Sequence, residues 1–140
     1  MIKTKTRALS RSASLLLAGL MLLSAVAHLV TPEAYAPLIP SFLPLLAVNY
    51  FTALCEAIVG TMLILPARRV WGAYGFMILM LGFLPLHIWD FIREESFLGS
   101  SLAAGIRLFF QFLLIALGFW LGRVHLELQK ESRETASPAD

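Results

Sequence analysis

Four uninterrupted apolar stretches constrain this chain more than any other feature. They cover about 13–30, 45–65, 70–89 and 102–122, each about 18–21 residues long. A helix needs about 20 residues to cross a hydrocarbon core of about 30 Å. Only helices and closed barrels satisfy their own backbone in lipid. A barrel strand alternates apolar and polar residues, and these runs do not alternate. The expected fold is therefore all-α: a four-transmembrane-helix bundle with a proline-rich interfacial loop between helices 1 and 2. Composition agrees, with 59% apolar residues, 14% charged residues and a mean hydropathy of +0.78. Too few polar side chains remain to coat a water-soluble domain of this size. The net charge of +2 comes from residues at termini and loops, with no basic stripe, so no nucleic-acid partner is expected. The lone Cys55 excludes an intramolecular disulfide, a CxxC pair and a cysteine zinc site.

Basic residues set the expected orientation, because short cytoplasmic segments carry an excess of Lys and Arg. Lys3, Lys5, Arg7 and Arg11 precede the first span, Arg68 and Arg69 fill the turn between spans 2 and 3, and Arg123, Lys130 and Arg133 follow the fourth. Nine of the eleven basic residues thus share one side, leaving Arg93 and Arg107 on the other. The expected order is a basic cytoplasmic N-terminus (1–12), the membrane domain (13–123) and a polar cytoplasmic tail (124–140), with Glu127, Lys130, Glu131 and Glu134 able to extend helix 4 as a solvated face and Thr135–Asp140 disordered. Trp71 and Trp120 fall near the inner interface and Trp89 near the outer one, as aromatic belts require. Ala25-Val26-Ala27 after a basic apolar segment has the form of a signal-peptide cleavage site. The apolar run continues to Val30, past the roughly 7–15 residues usual for such a segment, which favours a retained first span.

Polar groups inside a span are costly and usually face the bundle interior. Seven stand out: His28, Asn49, Glu56, His87, Asp90, Arg107 and Gln111. At about 1.5 Å per residue, Glu56 lies roughly 15–18 Å above the inner interface, Gln111 roughly 18 Å, and the other five roughly 24–30 Å. All seven occupy the outer half, which points to a pocket open to the outside rather than a polar path across. Helical phase gathers Arg107, Gln111, Gly118 and Gly122 on one face, and Asn49, Ala53, Glu56 and Gly60 on another. Ser14, Ala18, Ala25 and His28 form a third such face, and Gly75 and Gly82 a fourth. Small residues below and polar residues above predict tight packing at the inner end, with Gly118 and Gly122 as a GxxxG contact. A charge at these depths needs a partner, so Arg107 is expected to pair with Asp90 or Glu56.

That network admits three readings: a lock between helices, a ligand site for a polar head group on a hydrophobic molecule, or acid–base chemistry. Two histidines and a carboxylate on separate helices lack a metal-binding spacing, so no metal is expected. His125 is expected at the inner interface, and Cys55 as inert packing. Pro85 removes a backbone bond and leaves the Leu81 carbonyl in need of a donor, so a kink is expected below His87 and Asp90. In the outer loop, Thr31, Pro32 and Glu33 read as N-cap, first helical position and acidic first turn. Pro37, Pro40 and Pro44 then forbid a long helix. The interleaved Leu38, Ile39, Phe42 and Leu43 predict a segment lying over the bundle mouth.

His28-Leu29-Val30 with Pro32, and Ile39-Pro40-Ser41-Phe42-Leu43-Pro44, resemble the first outer loop of DoxX-like membrane proteins. Glu56 with Gly60 and Leu65-Pro66 resembles that family's second helix, Phe83-Leu84-Pro85 its third, and Ile106-Arg107-Leu108 with Gln111 its fourth. The resemblance spans about His28 to Trp120. It implies a small bacterial inner-membrane protein with four helices, and a partnership with quinone-linked oxidoreductases in some relatives. The thiol pair of redox-associated relatives is absent, and Leu86-His87-Ile88-Trp89-Asp90 departs from the family's small-residue pattern. The resulting expectation is an accessory subunit, not itself an enzyme. It would bind a quinone or lipid, or a membrane or redox protein partner, with Glu56, Arg107 and Gln111 as floor and wall, His28, His87 and Asp90 lining the mouth, and Asn49 among the ligand-binding residues.

Overall fold

The computed structural model describes residues 2–94, 96–97 and 99–136. The order is α1 (Ile2–Val30), a 3-10 helix (Pro32–Leu38), α2 (Leu45–Ile64), α3 (Arg69–Ile92) and α4 (Ser101–Ala136). No strand occurs among the described residues. All four α-helices are long and apolar enough to cross a membrane, and the chain is a multi-pass membrane protein. α1 and α4 extend beyond their apolar stretches: α1 carries Lys5, Arg7 and Arg11 on helical backbone, and α4 continues through Glu134. Of the tail expected to be disordered, Thr135 and Ala136 are helical, and 137–140 lie outside the described residues.

The helices alternate in direction. α1 packs on α2, α2 on α3 and α3 on α4, while α1 meets α4 over a short stretch only. The bundle is thus two hairpins, α1/α2 and α3/α4, joined along the α2–α3 seam. One end holds the start of α1, the end of α4 and the α2–α3 turn, and is called here the terminal end. The opposite, loop end holds the 3-10 helix and the α3–α4 connection. The outward faces are apolar, with Leu16, Leu23, Ile78 and Phe109 all exposed, as lipid contact requires.

The seam is narrowest toward the terminal end. Leu17, Ala18, Val59, Leu63, Ala73, Phe76, Met80 and Leu121 form the core there. A Cβ on Gly72 would lie 2.7 Å from the Leu63 amide nitrogen, so only glycine lets α3 approach α2 this closely. Cβ atoms on Gly118 and Gly122 would strike Met77 and Tyr74, which places the GxxxG pair against α3 as its spacing predicts. Gly82 differs from its expected role: nothing lies within 4 Å of its Cβ position. α3 runs as one helix through Pro85.

Candidate functional site

The polar side chains of the loop end divide between the two hairpins. In α1/α2, the Asn49 side-chain nitrogen donates to the Leu45 carbonyl (2.9 Å), and at 3.5 Å to that of Pro32. Its oxygen therefore faces His28 Nδ1 at 2.7 Å as acceptor, and that nitrogen carries the proton. His28 also stacks on Tyr35 of the 3-10 helix, with ring centroids 3.7 Å apart. Its other nitrogen, Nε2, is left without a proton in the neutral ring, and points at Glu56 Oε2 from 3.9 Å, beyond hydrogen-bond range. Ser24, one turn below His28, donates to Glu56 Oε1 at 2.9 Å. Glu56 is 2% exposed, and its Oε2 has no hydrogen-bond partner among the described residues.

In α3/α4, Asp90 is the hub. It is fully buried and accepts from the Phe97 amide at 2.8 Å. It pairs with Arg107 Nη2 at 3.1 Å and with Arg93 Nη2. Arg107 Nε donates to His87 Nδ1 at 2.9 Å, which puts that neutral ring's proton on Nε2. Arg93 lies over the Trp89 ring at 4.5 Å and donates to the Pro37 carbonyl at 2.9 Å. One guanidinium therefore ties the 3-10 helix of the first hairpin to the carboxylate hub of the second.

A cavity of about 110 Å³ lies between the hairpins under the 3-10 helix. Leu38, Ile39, Val48, Phe83 and Leu86 make its apolar wall, and His28, Tyr35, Thr52, His87 and Arg107 supply the polar lining. The seven residues singled out from sequence are thus distributed unevenly. His28, His87 and Arg107 line the cavity, Asn49 and Glu56 stand behind His28, and Asp90 anchors the opposite wall. Arg107 takes Asp90 as its partner, and Glu56 faces His28 instead. Gln111 does not line this cavity: it is 3% exposed and donates across the α3–α4 interface to the Met80 carbonyl. That acceptor lies one residue before Leu81, whose carbonyl Pro85 leaves without its helical donor. Thr31 precedes the 3-10 helix as expected, but its hydroxyl turns back to the Ala27 carbonyl at 3.0 Å and makes no cap.

Tyr35, Thr52, Ser24 and Arg93 were not singled out from the sequence. Thr52 shares the helical face of Asn49 and Glu56, and Ser24 sits one turn from His28, so periodicity carried a signal for both. Nothing local marked Tyr35 or Arg93, whose roles depend on how the 3-10 helix crosses the bundle.

A family model described as Domain of unknown function (DUF8561) matches residues 17–122. The chain belongs to this family. No curated protein and no solved structure matches it. The matched stretch contains every lining residue of the loop-end cavity, so the DUF8561 unit includes the whole of this candidate site.

Proposed function

We propose that this chain is an accessory subunit of the bacterial inner membrane, DoxX-like in type, with both termini on the cytoplasmic side. It holds the head group of a hydrophobic small molecule, a quinone or a lipid, in the loop-end cavity, and presents it to a membrane or redox protein partner. The orientation rests on the bias of basic residues toward the terminal end. The cavity carries the functional reading. Its volume of about 110 Å³ is several times the roughly 30 Å³ that one water occupies in the liquid. It takes one flat ring or ester group. Arg107 and the Nε2 proton of His87 are donors for a carbonyl oxygen, and the His28–Tyr35 stack offers a ring face. Apolar walls suit the rest of such a ligand.

Mass spectrometry of small molecules co-purifying in mild detergent tests this. Wild type should retain a quinone or lipid that Arg107→Ala loses. Val48→Phe, which fills the cavity and leaves the ion pairs alone, should lose it too. Equal retention in Val48→Phe rejects the reading.

One observation favours a second reading. Glu56 Oε2, which has no hydrogen-bond partner among the described residues, lies 3.9 Å from His28 Nε2, so a shift of about 1 Å would bring the two within hydrogen-bond reach for proton transfer. Turnover of a lipophilic substrate by the purified protein alone, lost in Glu56→Gln, would replace the accessory role with an enzyme.

A further inference from the structure

At the terminal end a cavity of about 430 Å³ opens between the start of α1, the start of α3 and the extension of α4. Its size falls among the roughly 300–1,000 Å³ of ligand pockets. Arg7, Arg11, Arg69, His125, Gln129 and Ser132 supply its polar lining, with no Asp or Glu among the lining residues. On the α4 extension Glu127 pairs with Lys130 at 3.5 Å, and neither of these two residues lines the cavity.

Arg69 and His125 are held in place. Arg69 donates through Nε and Nη2 to the Leu63 and Ile64 carbonyls, at 2.9 and 3.0 Å, where α2 ends. His125 is bonded to the buried Ser14 hydroxyl at 2.8 Å, which fixes α4 against α1. Arg7 and Arg11 stand one turn apart on α1. Arg11 and Arg69 repel each other, and Arg69 repels any proton on His125. The first-turn amides of α3 add partial positive charge, since Arg68 as N-cap supplies no side-chain acceptor. A cytoplasmic excess of basic residues explains why arginines occur at this end. It does not explain why three of them converge on one hollow with no carboxylate in its lining.

We propose that this cavity is a phosphate site, filled by an anionic phospholipid headgroup or by a free phosphate-bearing solute. Guanidinium groups pair with phosphate oxygens in a bidentate fork, and the Gln129 amide in the lining can add a further contact. Basic pockets between membrane helices are a recognised setting for anionic headgroups. Trp71, two residues after Arg69 and 67% exposed, stands where interfacial aromatics meet headgroups.

The test is thermal unfolding and binding of the full chain in mild detergent at matched ionic strength. The probes are phosphatidylglycerol, phosphatidylcholine and inorganic phosphate. Phosphatidylglycerol or inorganic phosphate should raise the midpoint, and phosphatidylcholine should not. Apparent affinity should fall about tenfold for each arginine contact removed in Arg7→Gln and Arg11→Gln. Both side chains are exposed and lie before the apolar stretch, so these variants keep the fold, and Arg→Lys at both positions should restore part of the binding. Stabilisation by phosphatidylglycerol alone assigns a lipid headgroup, and stabilisation by inorganic phosphate assigns a soluble ligand. Equal effects of phosphatidylglycerol and phosphatidylcholine, no effect of any phosphate, or unchanged binding in the double Gln variant would overturn the proposal.

Discussion

The two ends of the bundle handle charge in opposite ways. At the loop end, Asp90 sits between Arg93 and Arg107, Arg107 also spans to His87, and Arg93 reaches a backbone carbonyl. The small cavity there is bounded by groups already engaged with one another. At the terminal end, Arg7, Arg11 and Arg69 surround a hollow about four times larger, by the ratio of about 430 to about 110 Å³, without a carboxylate in its lining. Internally compensated charge can serve structure and ligand together. Arginines that meet no carboxylate in the lining of a hollow leave room for an anion from outside the chain.

Variants that change one charge or one donor at a time probe this contrast. The largest expected effect is Asp90→Ala, which leaves two guanidinium groups without their common carboxylate; breaking a buried pair costs about 3–5 kcal/mol. Thermal unfolding in detergent should show that loss, and Asp90→Asn, which keeps an acceptor for the Phe97 amide, should show less. A mild Asp90→Ala phenotype would mean that the loop end is not held by this hub. Gln111→Leu comes next, because it removes the donor to the Met80 carbonyl at a cost of about 1–3 kcal/mol. Ligand retention should survive that change, which separates packing at α3–α4 from binding. Ser24→Ala, which strips the donor from Glu56 Oε1, should cost about 1 kcal/mol. The smallest effect has the opposite sign. Arg11→Gln, measured without any anion, should leave the unfolding midpoint unchanged or slightly raised, because it relieves the repulsion with Arg69. A clear drop there would show that the terminal end, too, is compensated from within.

Much of this architecture was legible before any coordinates. The lengths of the apolar runs dictated four helices, and the Gly118/Gly122 spacing located a close contact on α4. Rise per residue placed His28, Asn49, His87, Asp90 and Arg107 at one depth, and they do share the loop end. Height along a helix says nothing of azimuth relative to neighbours, so it left open whether Arg107 meets Asp90 or Glu56. The His28–Glu56 arrangement depended on the register of α1 against α2, which no local pattern encodes. Gln111 looked like a pocket residue because a buried amide in a span has two uses, and only the position of Met80 decides between them. The terminal cavity was not legible for a different reason. Its arginines were fully accounted for by topology, and their convergence required α1 and α4 to continue as helices past the apolar boundary.

The glycine at 72 gives the molecule a mechanical character. The two hairpins are clamped hardest where α3 crosses the Met62–Leu63 backbone, and His87 stands fifteen residues further along α3, a lever arm of about 22 Å at 1.5 Å per residue. A tilt of about 3° around that fulcrum moves the far tips by about 1 Å. The Arg93 strap to Pro37 spans the open jaw of these tongs, so the same guanidinium that neutralises a carboxylate would also limit how far the jaw can part.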